Sequence, residues 1–357
     1  MKSPVYFIPV ASSDTIETIN VKLERLLEES KVLDVIQGGC RVAVKVHFGE
    51  EGNTAFVKPQ HVRVICDAIR AKGANAFLAD TNTLYRGRRT RADDHLALAR
   101  EHGFTREATG VDVLIPDEAN KENVVTVPVR LKYIQQAKVA RCFVEADALV
   151  ASSHFKGHML SGFGGALKNL GMGCATREGK LMQHCDMTPA VYPDRCTACR
   201  ACEQICPVGA IRIEQDKPVL DRSQCIGCAN CVGVCPSMAL FVEEGSGEKV
   251  QSKMVEYAAA VLKGRENRVA FVNFAINIRQ ECDCWGMENP LIGPDVGILA
   301  SRDPVSIDQA SFDLVKKACG KDIFKAAHPD QDGSVQLAYA RELGLGRTEY
   351  ELIRVET

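Results

Sequence analysis

The chain has 357 residues, 46% of them hydrophobic, and a net charge of −2. It can bury a sizeable core and presents no global basic field for nucleic acid or a membrane surface. No run reaches the ~18 apolar residues of a membrane span and no secretory signal pattern opens the chain, so a cytoplasmic protein is expected.

Short apolar runs alternate with helical periodicity through the first half, the pattern of an α/β layer architecture. Val5–Val10 reads as a strand. Ser13 and Asp14 then offer a cap for an amphipathic helix carrying Ile16, Ile19, Leu23, Leu26 and Leu27. Val42–His47 is expected as a strand, His61–Lys72 as a helix, Ala76–Asp80 as a strand and Ala92–His102 as a helix. Strands follow at Val111–Ile115 and Val124–Val127, the latter at an edge because of Pro128, and a strongly buried one at Ala148–Ser153.

The alternation then breaks at two cysteine runs, Cys196-x2-Cys199-x2-Cys202-x3-Cys206-Pro207 and Cys225-x2-Cys228-x2-Cys231-x3-Cys235-Pro236. This is the bacterial ferredoxin spacing, in which three thiolates of one run and the fourth of the other hold each cluster. Cys196, Cys199, Cys202 and Cys235 are therefore assigned to one [4Fe–4S] cluster, and Cys225, Cys228, Cys231 and Cys206 to a second. Paired C-x2-C units also bind zinc, but zinc does not explain eight cysteines in this duplicated order. Ile211–Ile213 and Leu240–Val242 follow the two runs in matching places.

After a polar joint the alternation resumes, with a helix at Met254–Lys263, strands at Val269–Ile278 and Val296–Ala300, and a helix at Ser306–Ala318. The expected architecture is one α/β domain, split into residues 1–186 and 244–357 by an inserted α+β ferredoxin-like 2[4Fe–4S] domain at 187–243. Because insertions enter at surface loops, the two ends of the insert should lie together.

Ligands of open α/β sheets gather beyond the carboxyl ends of the strands. Strands running into His47, Asp80 and His154 would bring those residues to one cleft if they are parallel neighbours. Beyond His154 comes a glycine-rich segment holding His158, Gly162, Gly164, Gly165, Lys168 and Asn169. Glycines let backbone N–H groups approach an anion and a helix start favours negative charge, so Gly162, Gly164, Gly165 and Asn169 are candidates for an anion or cofactor site. His47, His154, His158 and Lys168 are the candidate catalytic groups. Cys282 and Cys284 are candidates for an extra metal or a reactive thiol, with Cys174, His184 and Cys185 as further soft donors. The basic stretch Arg86–Arg91 reads first as a solvated loop, and second as a guide for anionic substrates.

These features resemble an uncharacterised family, domain of unknown function 362, many of whose members carry a ferredoxin insert. The resemblance rests on Val44-Lys45-Val46-His47, the segment from His154 to Gly173, Cys282-Asp283-Cys284, and the run from Asp295 to Asp308. It implies the split architecture and no established reaction. A fainter similarity is to the nickel-pincer lactate racemases, with His158, Gly164-Gly165 and Lys168 at the matching places and the lysine one residue further on.

The leading functional expectation is an iron–sulfur oxidoreductase that passes electrons to an anionic small molecule or a cofactor in the α/β cleft and exchanges them with a redox partner protein. Two alternatives stay open. One is an electron-transfer subunit without chemistry of its own; the other is a non-redox enzyme with structural clusters.

Overall fold

The computed structural model describes residues 2–84, 87–118, 120–184, 189–206, 208–225, 230–241, 247–287 and 289–356. Arg86, Cys185, Pro207, Cys228 and the expected domain boundaries at 186–187 and 243–244 lie outside the described residues. The frame is an eight-stranded sheet: β1 (Ser3–Pro9), β2 (Arg41–Lys45), β3 (Asn75–Ala79), β4 (Asp112–Leu114), β5 (Ala148–His154), β6 (Val269–Ala275), β7 (Gly297–Ser301) and β8 (Tyr350–Arg354). Their spatial order is β8-β1-β7-β6-β5-β2-β3-β4.

Successive side chains of a strand point to opposite faces, so a sheet covered on both sides reads as continuous apolar sequence. Ala43, Phe77, Leu149, Phe271 and Leu299 enter one core, while Val44, Leu78, Val150, Val272 and Ala300 enter the other. The helices Ile16–Ser30 and Pro59–Ala71 cover the second face through Leu23, Leu26, Val62 and Ile65. Ala166–Gly171, Gly247–Leu262 and Pro304–Cys319 cover the first. The result is a three-layer α/β domain, as expected. Among the described residues no helix is long and apolar enough to cross a membrane.

β2, β3, β5 and β6 pair in parallel, so their carboxyl ends share one edge. β7 departs from the alternation: it runs antiparallel to both β6 and β1. An antiparallel return needs no crossover helix. The segment 276–296 therefore leaves β6 and comes back into β7 at the edge where the other strands deliver their polar residues.

Two local expectations change, and one hairpin is new. The helix Ile16–Ser30 is capped by Thr15, whose hydroxyl accepts the Thr18 N–H, in place of Ser13 or Asp14. Val124–Pro128 does not join the main sheet but pairs with Gln136–Ala140 in a separate hairpin. Lys156–His158 and Gly162–Gly164 form a second small hairpin before the helix at Ala166.

Residues 189–241 build a small core of their own from Cys202, Ile211, Ile213, Cys231 and Leu240. Ala190–Val191 pairs antiparallel with Leu240–Phe241, so the two ends of the segment do lie side by side. Ile211–Glu214 pairs with Lys217–Leu220, and each cysteine run carries a short helix, Ala201–Ile205 and Asn230–Val234.

Candidate functional site

The carboxyl ends of β5, β2 and β3 bring His47, Asp80 and His154 to one edge. A buried charge network links this edge. Lys45 is 0% exposed and Asp80 2%, and their Nζ and Oδ1 stand 3.0 Å apart. Lys45 also donates to Asn169 Oδ1 at 2.8 Å, and Asn169 Nδ2 donates to Ser152 O and Ser153 Oγ, both at 3.0 Å. Asn169 thus ties β2 to β5 from the helix Ala166–Gly171. Burial opposes ionisation of Asp80, but the charges of Lys45 and Arg89 beside it outweigh that cost and hold the carboxyl well below the usual range.

Arg89 was expected in a solvated loop. It is 2% exposed: its Nε donates to Glu50 Oε2 at 3.0 Å, and its Nη1 stands 3.7 Å from Asp80 Oδ2 and 2.6 Å from His47 Nε2. Basic residues in a loop give no sign, in sequence, of which one turns inward. Lys180, unflagged in the sequence, donates to Thr81 Oγ1 beside Asp80, and burial lowers it to about 8.

The segment after β6 closes over this edge. A bridge between Arg279 and Leu291 and the pair of hydrogen bonds between Asn289 and Glu281, both 2.8 Å, pin its base. Between them lies Cys282-Asp283-Cys284. Asp283 Oδ1 takes His154 Nδ1 at 2.8 Å, while His154 Nε2 meets the carbonyls of Ile276 and Asn277. The ring is held between the Asp283 carboxylate and two backbone carbonyls. Lys156 adds a cation, 3.4 Å from Asp283 Oδ2. His154 is thereby fixed in the wall.

Cys284 Sγ lies 3.2 Å from His47 Nε2. The Cys282 thiol donates to it and, against the cost of burial, His47 and Arg89 add to the effect, holding Cys284 well below the ordinary thiol range. Cys282 moves the other way, raised by that same hydrogen bond and by burial. Among the described residues no set of three or more His, Cys, Asp or Glu side chains is placed to hold one metal ion, so the pair gains no third ligand there.

The glycine-rich segment is used differently from the expectation. The first amides of the helix Ala166–Gly171 are taken from within: Asp308 accepts from Ala166 N–H at 2.7 Å and Leu167 N–H at 2.9 Å. A side chain on Gly165 would collide with Asp308, and on Gly164 a Cβ would fall 2.8 Å from Lys168 Cδ. The glycines therefore admit an internal carboxylate and a lysine, and the proposed anion site at Gly162, Gly164, Gly165 and Asn169 is already filled by the protein's own groups. His158 Nδ1 accepts from the backbone N–H of Leu160 and Ser161, both at 3.2 Å. Burial and the nearby Lys168 charge hold it well below the usual imidazole range, and it is neutral.

At the other site, Cys196, Cys199, Cys202 and Cys235 line one small cavity with Ile213, Pro218 and Leu240. The structure thus brings together three thiols of one run and the fourth of the next. Backbone N–H groups donate to the sulfurs: Ala198 to Cys196 at 3.3 Å, Ala210 to Cys206 at 3.2 Å and Ala239 to Cys235 at 3.2 Å. Against the cost of burial, backbone donors hold Cys206 and Cys235 below the ordinary thiol range. Cys225 and Cys231 are the described members of the expected second set besides Cys206; Cys228 lies outside the described residues.

A family model described as "Domain of unknown function (DUF362)" matches residues 42–313. The chain belongs to the DUF362 family. That match begins in β2 and ends within the helix Pro304–Cys319, so it takes in both the cleft and the cysteine runs. Among solved structures, the chain is similar to the lactate racemase apoprotein from Thermoanaerobacterium thermosaccharolyticum, with 16% identity and a TM-score of 0.39 over 76% of this chain and 50% of that one. It is also similar to a protein from Thermotoga maritima, with 13% identity and a TM-score of 0.40 over 86% of this chain and 58% of that one. The chain spans half the length of the first and little more than half of the second.

Proposed function

We propose that this DUF362 protein is an iron–sulfur oxidoreductase: residues 187–243 form a ferredoxin-type module for two [4Fe–4S] clusters, and the cleft at the edge of β2, β3 and β5 holds the substrate. The observation that carries the reading is the cavity shared by Cys196, Cys199, Cys202 and Cys235, two runs of sequence meeting in the order ferredoxin ligation requires. The donor set fits. Thiolates that accept backbone N–H groups are stabilised as anions, the form in which cysteine ligates metal.

Bound clusters supply single electrons. The chain's own residues hold the rest of the chemistry. Lys45, Arg89, Lys156 and Lys180 line the cleft, each facing a carboxylate of the chain, and His47 and Cys284 stand where the substrate would bind. A carrier with no chemistry of its own has no need of so many buried charges at one strand edge, each costly to desolvate. The module also exposes Tyr192, Ile205, Met238 and Phe241, apolar groups suited to docking a redox partner.

The test is protein purified without oxygen, assayed for iron and acid-labile sulfide. About eight of each per chain are expected, and Cys235→Ala should lose about half. Fewer than about four irons after reconstitution would overturn the reading.

A further inference from the structure

We infer that Lys168 and His158 together hold the carboxylate of a small substrate, the ammonium supplying the charge and the imidazole a second donor. The inference deepens the proposed function, taking from it only that the cleft is where the substrate sits. A carboxylate can bind there whether or not the clusters are loaded.

Lys168 differs from the other cations of the cleft. Lys45, Arg89 and Lys156 stand within ion-pair distance of Asp80, Glu50 and Asp283, and Lys180 is held by Thr81 Oγ1 with the charge of Glu118 nearby. Lys168 makes no ion pair or hydrogen bond among the described residues. It is half-buried on the helix Ala166–Gly171, next to Asn169, whose side chain ties that helix to β2 and β5. Its stem runs over Gly164, where a Cβ would fall 2.8 Å from Lys168 Cδ, so the glycine opens the path the lysine takes. The carboxylate whose charge reaches it, Glu281, is already engaged at both oxygens. Oε1 faces His328 Nε2 at 3.2 Å, and Oε2 accepts the Met159 N–H at 3.2 Å. A cation drawn partly out of water without a counter-charge is costly, and a bound anion removes that cost.

His158 is the second observation. The residue is 8% exposed, and its Nδ1 accepts the N–H groups of Leu160 and Ser161, with Ser161 Oγ 3.0 Å away. The one proton of this neutral ring is therefore on Nε2. That N–H donates to nothing among the described residues. Lys168 is the foremost charge acting on the ring, ahead of Lys156, so ammonium and imidazole N–H share one space. A nearly buried donor left without an acceptor is costly. One carboxylate satisfies both groups, with one oxygen on the ammonium and the other on the N–H.

A phosphate would ask for more. Phosphates at helix starts draw on backbone amides, and those of Ala166 and Leu167 are given to Asp308. One full positive charge and one neutral donor match a monoanion.

The test is acetylation of amines by N-hydroxysuccinimidyl acetate on the anaerobic full-length protein at about pH 8, read peptide by peptide in a mass spectrometer. Lys168 is expected to label in the free protein, and about 100 mM propionate to slow it about fivefold or more, with the exposed Lys121 unaffected. The neutral isostere propionamide is expected to give no protection, and inorganic phosphate little. His158→Asn keeps an acceptor for the two backbone amides and withdraws the Nε2 donor. It is expected to weaken protection by propionate about threefold or more while Lys168 labels at the parental rate. Lys168→Met is expected to keep the parental denaturant midpoint or raise it, because no partner within the fold is lost. Three results would overturn the site: a Lys168 that never labels, no protection by propionate, or equal protection by propionamide. A lowered midpoint in Lys168→Met would assign the lysine to the fold and overturn it as well. Unchanged protection in His158→Asn would overturn the role of the imidazole, and phosphate protecting as well as propionate would overturn the carboxylate class. Iron and sulfide from the same sample report separately on the clusters.

Discussion

Lys45 carries the charge balance of the cleft. It has no contact with water, and Asp80 is buried against it, so the pair survives only because each neutralises the other. Breaking a buried pair from one side leaves an uncompensated charge, at a cost of about 3–5 kcal/mol. Lys45→Met is therefore expected to lower the denaturant midpoint by that equivalent, and the double variant Lys45→Met with Asp80→Leu to recover most of it. A single variant as stable as the parent would show that Asp80 is not charged in the folded protein. At this scale the sequence was partly legible. His47, Asp80 and His154 end apolar runs, and strand ends announce themselves by that change of polarity. Arg89, Glu50 and Asp283 did not, because a charged residue in a loop looks the same whether it turns to solvent or to a buried partner.

Among the elements, the short helix Ala166–Gly171 shows how a glycine pattern can mislead. Glycines before a helix start predict an anion, and an anion is there, but it arrives from Asp308, 142 residues away from Ala166 in the chain. No local signal reports that distance. Asp308 also accepts from Asn273 Nδ2 at 2.7 Å, so one carboxylate ties the helix to β6. Burial raises it to about 6. Asp308→Ala would leave three buried donors unsatisfied, each worth about 1–3 kcal/mol. We expect a fall in stability of about 3 kcal/mol or more and faster hydrogen exchange across residues 166–171, with Asp308→Asn milder because one acceptor remains. Wild-type exchange in the alanine variant would contradict the capping role. Most strands and long helices up to Cys319 were legible to within a few residues, since apolar runs and 3.6-residue periods are set by the two cores, but the helix Gly247–Leu262 starts seven residues before the expected Met254, and the helix Ser334–Glu342 and the strand Tyr350–Arg354 were not read. The direction of β7 was not: a run such as Gly297–Ser301 is equally apolar in either orientation, and only its pairing decides.

For the molecule as a whole, the contact that matters is the one between the cysteine segment and the α/β domain. Val232, between Cys231 and Cys235, packs on Leu84 and Leu181. Leu181 is 2% exposed and follows Lys180, which reaches Thr81 beside Asp80. The helix that carries Cys231 is thus seated against Leu84 and Leu181, a juxtaposition that no spacing rule foretells because it joins three distant stretches. A buried leucine replaced by a carboxylate costs both its apolar contacts and the desolvation of the new charge. Leu181→Asp is expected to speed hydrogen exchange in Arg177–His184 and Asn230–Val234 by about tenfold or more, while the strands of the main sheet keep their protection. Iron content should not change, because the thiols are held by the segment's own core of Cys202, Ile211, Ile213, Cys231 and Leu240. If exchange in both helices stayed at the parent rate, the contact would not be what holds the cysteine segment against the cleft. If instead iron were lost with it, the segment would depend on the α/β domain for its fold, and its small core would be insufficient to stand alone.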